Sequence, residues 1–299
     1  MWFTLSIANM LVMTLLRLLQ KAFVTKNRGM NPLRINWLVF LSTVPVAVFI
    51  LAHNTHTLTL LPSTFWLTLV AVVVGFYPLV NYLFFAVIRT NELSNVLPLL
   101  ALIPILTMFS GWILLNQHPG YLALAGVFCI AASIYSLEVH HRQSWFEPFS
   151  ELFHSRAAVA MATVSVITAF AAIGDKFAIE RSTASIYFAL NSLGAVAVLM
   201  IGDLIITRRN RLSVRRELAL LSPGEWKILI ALALTQLITQ VSGFAAINAA
   251  ANTGYTIAIK NLNIVLASLV AVAIYRESVN RFKLLSYGLS ALGVVMIAL

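Results

Sequence analysis

The chain has 299 residues, of which 60% are hydrophobic and only 10% are charged, and its formal net charge is +10. Soluble domains carry roughly 25% charged residues, so this composition excludes an ordinary soluble protein. The basic residues stand beside apolar segments and not on one soluble face, which argues against nucleic-acid binding and favours an orientation signal in a membrane.

Ten apolar segments follow one another along the chain, each close to the ~20 residues that a helix needs to cross a bilayer. In lipid the backbone must satisfy its own hydrogen bonds, so we predict helices. The fold class predicted is an all-α integral membrane protein with ten transmembrane helices. The predicted spans are 2–19, 35–52, 63–88, 93–115, 121–137, 157–173, 185–206, 225–249, 254–275 and 283–299.

The first apolar segment stands where a signal peptide would stand. No basic residue precedes it and no clear small-x-small cleavage site follows, so we expect it to be retained as the first membrane helix. The chain has one cysteine, Cys129, which lies inside the fifth predicted span. A single cysteine can form neither a disulfide within the chain nor a metal cluster of several thiols.

The two halves of the chain repeat one another. Lys21 near the end of the first segment corresponds to Lys176 near the end of the sixth, an offset of 155 (176 minus 21). Gln117 after the fourth segment corresponds to Glu277 after the ninth, an offset of 160 (277 minus 117). Five segments per half is an odd number, so the second half enters the membrane upside down. That is the inverted-repeat plan of many secondary transporters, whose substrate site lies at the midplane.

The predicted units are a first five-helix repeat over 1–139, an interfacial linker over 140–156 and a second five-helix repeat over 157–299. The linker is rich in aromatic residues, which tend to lie at the membrane surface. The fifth and tenth segments each carry a glycine that the repeat brings into correspondence, Gly126 and Gly288.

Orientation follows from the positions of the 20 Lys and Arg residues. Seventeen fall in alternate gaps between the segments, two (Lys176 and Arg181) fall on the opposite side, and Lys260 falls within a span. The positive-inside rule places the seventeen in the cytoplasm. We therefore expect a multi-pass protein of the cytoplasmic membrane with both termini outside.

Several motifs resemble the EamA-type repeats of the drug/metabolite transporter superfamily. They are Leu-Pro-Leu-Leu-Ala-Leu-Ile-Pro at 97–104, Tyr-Thr-Ile-Ala-Ile-Lys at 255–260 and Tyr-Arg-Glu at 275–277. The resemblance implies ten helices, two inverted five-helix repeats and alternating access around a central cavity. Two features depart from the family pattern. Gln117 stands where the family has an acidic residue, and family members usually keep both termini in the cytoplasm.

Lys260 is the leading candidate for a substrate contact. It is the seventh residue of its predicted span, about 10 Å inside the membrane at ~1.5 Å per residue. A buried cation is costly, so it either anchors a carboxylate or phosphate of the substrate or snorkels to the interface. Amides could join it, although each one alone more often holds helices together. The candidates are Asn81, Gln236, Gln240, Asn248, Asn252 and Asn261.

Four further residues are candidates for coupling or gating. Asp175 could pair with Lys260 or carry a coupling proton, or it could be a helix-end residue at the interface. Pro98 and Pro104 interrupt the fourth span and could form a hinge or simply fit a bent neighbour. Glu277 could form a cytoplasmic gate or a structural ion pair.

The sequence therefore favours a secondary transporter of a small organic metabolite, anionic or zwitterionic, which acts as a monomer or homodimer within the lipid bilayer. A flippase or carrier subunit for a lipid headgroup is the alternative. An intramembrane enzyme would need a clustered nucleophile and base, which the sequence lacks. No metal or cofactor is predicted, and without a P-loop the energy must come from a gradient or from exchange.

Overall fold

The structure, a computed structural model, describes residues 1–27, 30–80, 83, 97–139, 155–210, 218–219, 221–275 and 281–299. Every regular element in these ranges is helical. The α-helices are α1 (Trp2–Lys26), α2 (Pro32–Phe40), α3 (Val44–His53), α4 (Thr55–Thr59), α5 (Ser63–Val70), α6 (Leu102–Leu115), α7 (Tyr121–Val139), α8 (Arg156–Glu180), α9 (Ala184–Asn210), α10 (Pro223–Ala249), α11 (Thr253–Asn261), α12 (Asn263–Tyr275) and α13 (Arg281–Ala298).

Three shorter helical stretches connect or extend these elements. A 3₁₀ turn at Leu41–Thr43 joins α2 to α3, and another at Leu97–Ala101 leads into α6. A π-helical stretch at Ala71–Phe76 continues α5. Such π segments are rare and commonly occur at functional sites.

Eight of the described helical segments are long and apolar enough to cross a membrane, and two shorter apolar helices accompany them. The eight are Trp2–Gln20, Leu33–His53, Ser63–Val80, Arg156–Glu180, Ala184–Ile205, Pro223–Ala249, Thr253–Val270 and Arg281–Ala298, and the shorter two are Leu99–Leu115 and Tyr121–Leu137. Each coincides with one predicted span. An all-helical, multi-pass membrane protein is thus confirmed.

Several helices begin at residues whose types are typical of N-caps. Ser222 and Glu225 form a reciprocal capping box at the start of α10, with Pro223 in the first turn. The Ser155 hydroxyl accepts hydrogen bonds from the first backbone N–H groups of α8. Asn31 caps α2 in the same way. These caps satisfy N–H groups that a helix terminus otherwise leaves without partners.

Helices of the first half pack mainly against helices of the second half. Helix α1 packs on α10, and the π-helical extension of α5 packs on α8. Helix α6 contacts α8, while α1 contacts α11 and α12. Three further pairs, α2 and α3 with α9, α6 with α11, and α7 with α13, join corresponding segments of the two halves. The core therefore lies between the halves.

Two glycines bring α7 and α13 into close contact. A Cβ atom on Gly126 would lie 2.8 Å from the carbonyl oxygen of Gly293, and a Cβ on Gly293 would lie 2.7 Å from the carbonyl oxygen of Gly126. Small residues at such positions let transmembrane backbones approach. Gly288, the predicted counterpart of Gly126, takes no part in this contact, because a Cβ on Gly288 would meet nothing within 4 Å.

The fourth and ninth spans are interrupted at corresponding positions. In the fourth, the 3₁₀ turn ends at Ala101 and the α-helix begins at Leu102. In the ninth, α11 ends at Asn261 and α12 begins at Asn263, so the interruption is at Leu262. The offset between the first residues of α6 and α12, 161 (263 minus 102), is within one residue of that between Gln117 and Glu277.

A buried ion pair fastens α2 to α9. The Arg34 Nε lies 3.0 Å from one carboxylate oxygen of Asp203, and the two side chains are 0% and 1% exposed. The same carboxylate accepts hydrogen bonds from Trp37 Nε1 at 2.9 Å and Asn31 Nδ2 at 2.8 Å. Arg34 was predicted to be a loop cation that marks orientation. It lies instead inside α2, beside an acid on a facing helix.

Candidate functional site

A chain of hydrogen bonds between side chains runs through the apolar helices α8, α9 and the extension of α5. The Tyr187 hydroxyl donates to Asp175 Oδ1 at 2.5 Å. The Asn191 side-chain amide donates to the Tyr187 oxygen at 3.1 Å and reaches the Tyr77 oxygen at 3.4 Å. Asp175, Tyr187 and Asn191 are all buried. We call these four residues the polar chain.

The polar chain is held in place by close packing of the π-helical stretch against two glycines. A Cβ on Gly174, next to Asp175, would lie 2.7 Å from Val72, and a Cβ on Gly194 would lie 2.7 Å from Val73. The extension of α5 can therefore lie directly on α8 and α9. Tyr77 follows the π stretch by one residue, so its hydroxyl reaches Asn191.

Two cations adjoin the polar chain. The charges of Asp175 and Lys260 interact, and so do those of Lys260 and Arg17. Lys260 on α11 is half-buried. Arg17 on α1 has an exposed side chain, and its guanidinium donates to Gln20 Oε1 at 3.3 Å. Asp175, Lys260 and Arg17 thus form one electrostatic cluster at the polar chain, which we call the charge cluster.

A contact between α1 and α12 lies close in sequence to Arg17 and Lys260. Asn263 Nδ2 lies 3.5 Å from the sulfur of Met13. Arg17 follows Met13 by four residues on the continuous helix α1, a spacing that places the two on one helix face. Asn263 also donates to the Lys260 carbonyl oxygen at 2.7 Å. It thereby supplies a partner to the backbone where the ninth span is interrupted.

Lys176, adjacent to Asp175, has a structural role. Its Nζ donates to the carbonyl oxygens of Ile247, Asn248 and Ala250 at 3.0, 3.1 and 3.1 Å. A cation at these last carbonyls of α10 satisfies acceptors that the helix leaves open and opposes the negative end of its dipole. The interpretation of Asp175 and Lys176 as helix-end residues at the interface is wrong, because α8 continues to Glu180 and both residues are buried.

Two of the predicted amides bind protein groups at helix ends. Asn252 is buried, caps α11 through Gly254 N at 2.8 Å and donates to the Gln117 carbonyl oxygen at 2.7 Å. Gln117 in turn accepts from Thr253, so the end of α6 is tied to the start of α11. Asn248 is exposed, and its carbonyl belongs to the Lys176 cap.

The other predicted residues lie in several places. Gln236 is buried within α10, and Gln240 and Asn261 are half-buried. Pro98 lies in the 3₁₀ turn before α6, and Pro104 is buried in the first turn of α6. Asn81, Glu277 and the linker from 140 to 154 lie outside the described residues. Sequence analysis missed Arg17, Tyr77, Tyr187 and Asn191 as members of a site. Asn191, four residues after Tyr187 within an apolar span, was the available signal.

Comparison with known proteins agrees with this architecture. A sequence model of the EamA-like transporter family matches residues 1–138. Residues 1–138 are thus similar to the EamA-like transporter family. The resemblance to the drug/metabolite transporter superfamily is thereby confirmed, and the family indicates a membrane transporter of that type. Comparison with curated protein sequences gives no match.

The fold of the whole chain is also found among solved structures. One crystal structure superposes with a TM-score of 0.70 over 99% of this chain and 95% of the other, at 13% sequence identity. At that identity the likeness concerns the fold alone. The EamA-like half supplies Arg17 and Tyr77, while 157–299 supplies Asp175, Tyr187, Asn191 and Lys260. The site is therefore built by both halves.

Proposed function

We propose that the chain is a secondary transporter of a small organic metabolite. It moves its substrate across the cytoplasmic membrane by alternating access around the charge cluster and polar chain. The proposed architecture is ten membrane helices in two inverted five-helix repeats, 1–139 and 157–299, joined by the linker 140–156. Both termini lie outside, as the distribution of basic residues favours.

One observation carries this proposal: ionisable groups on apolar helices of both halves interact electrostatically. Charges in hydrocarbon cost at least about 2.5–3.5 kcal/mol each and are retained where they face a bundle interior or a water-filled path. Arg17, Lys260 and Asp175 lie on three different helices, and both halves contribute to them. Such an arrangement suits a solute site whose two sides separate and rejoin during transport.

The packing between the halves supports the inverted repeat. Contacts of α1 with α10 are matched by contacts of the α5 extension with α8, as a two-fold relation between the halves requires. Contacts of α1 with α11 and α12 are matched by those of α6 with α8. The interruptions at Leu102 and Leu262 also correspond. Paired interruptions in the two halves are the features that accompany substrate sites in such transporters.

The proposed roles follow from the contacts. Lys260 binds the substrate, with Gln236, Gln240 and Asn261 as further polar contacts. Asp175 couples transport. Its carboxylate can either pair with the Lys260 ammonium group or bind a proton, and the Tyr187 hydroxyl keeps it in position. Pro98 and Pro104 flank the transition from 3₁₀ turn to α-helix and act as the hinge of the fourth span. A solute or proton gradient supplies the energy.

A flux assay in proteoliposomes tests the proposal. Purified protein is reconstituted, the vesicles are loaded with a panel of radiolabelled metabolites, and counterflow is compared with that in protein-free vesicles. We expect at least one solute to exchange, and Lys260→Ala to reduce its flux by roughly tenfold or more through loss of a desolvated charge contact. The matched control is Lys227→Ala, because Lys227 is exposed on α10.

Two outcomes would contradict the proposal. One is that no solute exchanges while fluorescent phospholipid analogues are scrambled in the same vesicles, which would favour a lipid flippase. The other is that Lys260→Ala and Lys227→Ala transport equally well, which would remove the charge cluster from the substrate path.

A further inference from the structure

We infer that Asn9 on α1 binds a hydrogen-bond donor of the transported solute, a hydroxyl or ammonium group, through its side-chain oxygen Oδ1. Asn9 thereby becomes a specificity-determining residue that sequence analysis did not single out. The inference rests on the proposed transport function, to which it adds one substrate contact of stated chemistry.

The nitrogen of the Asn9 side-chain amide joins α1 to α10. Asn9 is 1% exposed, and its Nδ2 donates to the Thr239 carbonyl oxygen at 2.7 Å and to the Ser242 hydroxyl at 2.9 Å. Both partners fix the orientation of the amide. A carbonyl oxygen can only accept, and the Ser242 hydroxyl donates its own hydrogen to the Ile238 carbonyl oxygen at 2.7 Å. Nδ2 therefore faces α10, and Oδ1 points away from these two partners.

The oxygen of the same amide is buried and accepts no hydrogen bond within the described part of the chain. A buried acceptor without a donor is costly, and such groups are few in native proteins. The other buried polar side chains of α1 differ, because the hydroxyls of Ser6 and Thr14 donate to the Trp2 and Met10 carbonyl oxygens of their own helix at 2.9 and 2.8 Å. Helix association thus uses one half of the Asn9 amide and leaves the other half for a ligand.

Asn9 lies where a substrate contact is expected. It is about 10 Å along the helix from Trp2, at ~1.5 Å per residue, and so lies near the middle of the span Trp2–Gln20. Helix α1 comes from the first half and α10 from the second, and substrate sites of inverted-repeat transporters lie at the midplane between the halves. One turn further along α1, Met13 contacts Asn263 beside the interruption of the ninth span.

The facing side of α10 carries amides that can complete the contact. Gln236, Gln240 and Gly243 are spaced by four and three residues, which places them on one helix face. A Cβ on Gly243 would lie 3.2 Å from Asn9 Nδ2 and 4.0 Å from Oδ1, so the glycine lets the Asn9 amide lie against α10. Movement of one half relative to the other would open this face to a solute. Oδ1 would then accept from its hydroxyl or ammonium group, and the two glutamines would contact neighbouring polar atoms.

Three pairs of small solutes test the inference, and the members of each pair differ in their hydrogen-bond donor. The pairs are lactate with 2-methoxypropanoate, alanine with N,N,N-trimethylalanine, and 2-hydroxypropyl phosphate with 2-methoxypropyl phosphate. All carry a carboxylate or phosphate, because Lys260 is the proposed contact for such a group. Ligands that bind the native state raise its apparent stability with occupancy, so melting temperature in detergent against probe concentration gives an apparent dissociation constant.

We expect the donor-bearing member of at least one pair to bind the wild type roughly fivefold or more tightly than its methylated partner, the effect of one hydrogen bond. In Asn9→Ala and in Asn9→Leu this ratio should fall to about one. Both variants also lose the Nδ2 contacts with α10 and so some stability. The ratio compares two ligands on the same protein, so that loss cancels, and either variant that folds decides the test.

Two control variants separate the oxygen of Asn9 from its structural contacts. Thr14→Val removes a buried hydroxyl of α1 that bonds only its own helix and should keep the wild-type ratio. Ser242→Ala removes a partner of Nδ2 without touching Oδ1 and should also keep it. The inference is overturned if no donor-bearing probe binds the wild type more tightly than its partner, if the Asn9 variants keep the ratio, or if Ser242→Ala loses it as well.

Failure of this inference is separable from failure of the transport proposal. A solute that exchanges in vesicles equally well with and without its donor group would refute the role of Asn9 and leave transport standing. A donor preference in detergent that depends on Asn9, with no solute exchanging in vesicles, would support the binding contact and refute transport.

Discussion

Two buried aspartates on neighbouring helices of the second half have very different surroundings. Asp203 accepts hydrogen bonds from Arg34 Nε at 3.0 Å and from the Arg34 terminal nitrogen at 3.2 Å. The side chains of Trp37 and Asn31 donate further hydrogen bonds to the same carboxylate. Asp175, within the described residues, accepts one hydrogen bond, from Tyr187, and its charge interacts with a lysine that makes no salt bridge to it.

This difference separates a structural charge from one that can change partners. Breaking a buried ion pair costs several kcal/mol, so the Arg34–Asp203 pair fixes α2 against α9. A carboxylate with open acceptor positions beside a lysine can exchange its partner for a proton, a substrate or water. The Arg34–Asp203 pair thus stabilises the fold, and the charge cluster is the proposed transport site.

The largest expected effect on stability comes from breaking the Arg34–Asp203 ion pair. Arg34→Ala leaves Asp203 buried without its counter-charge and should destabilise the protein by about 3–5 kcal/mol. Thermal unfolding in detergent, followed by tryptophan fluorescence, measures it. The double variant Arg34→Met with Asp203→Leu is the control, since an apolar pair of similar volume should recover much of the loss. If Arg34→Ala melts with the wild type, the ion pair does not fasten α2 to α9.

A steric substitution, with an expected effect of intermediate size, tests how much close packing without any charge contributes to stability. Gly293→Ala adds a methyl group 2.7 Å from the Gly126 carbonyl oxygen, and overpacking of this kind costs about 1–3 kcal/mol. Gly288→Ala on the same helix meets nothing within 4 Å and is the matched control. We expect Gly293→Ala to lower the melting temperature and Gly288→Ala to leave it unchanged or raise it. Equal melting temperatures for the two would contradict the close α7–α13 contact.

The sequence predicted the helices well because hydrophobicity and length govern them. Within the described residues, eight predicted segments coincide with helices long enough to cross a membrane and two with shorter apolar helices. What it could not predict is which polar groups face each other. Arg34 and Asp203 are 169 residues apart, and nothing in either segment indicates the other. Arg17 was interpreted as an orientation signal because a cation near a span end has that meaning far more often than a role in a site.

The remaining differences between the predicted and the observed site concern the positions of helix ends. The sixth span was predicted to end at residue 173, since the charges of Asp175 and Lys176 suggested an interface. The structure continues α8 to Glu180 because Lys176 finds three carbonyl acceptors at the end of α10. Asn252, predicted to bind substrate, caps α11 instead. Both outcomes depend on a neighbour distant in sequence, which hydrophobicity cannot reveal.

The smallest stability effect is expected at the polar chain. Tyr187→Phe removes the hydroxyl that donates to Asp175 and accepts from Asn191, and the loss of one such hydrogen-bond partner costs about 0.5–1.5 kcal/mol. Unlike the change at Arg34, this one should reduce flux in proteoliposomes by a larger factor than its stability cost implies, because Asp175 loses the group that positions it. Tyr255→Phe is the control, since its hydroxyl accepts only from Gly120 N in a peripheral loop. If Tyr187→Phe destabilised the protein as much as Arg34→Ala and left the flux of the folded fraction intact, Asp175 would be a second structural charge, and the contrast between the two aspartates would fail.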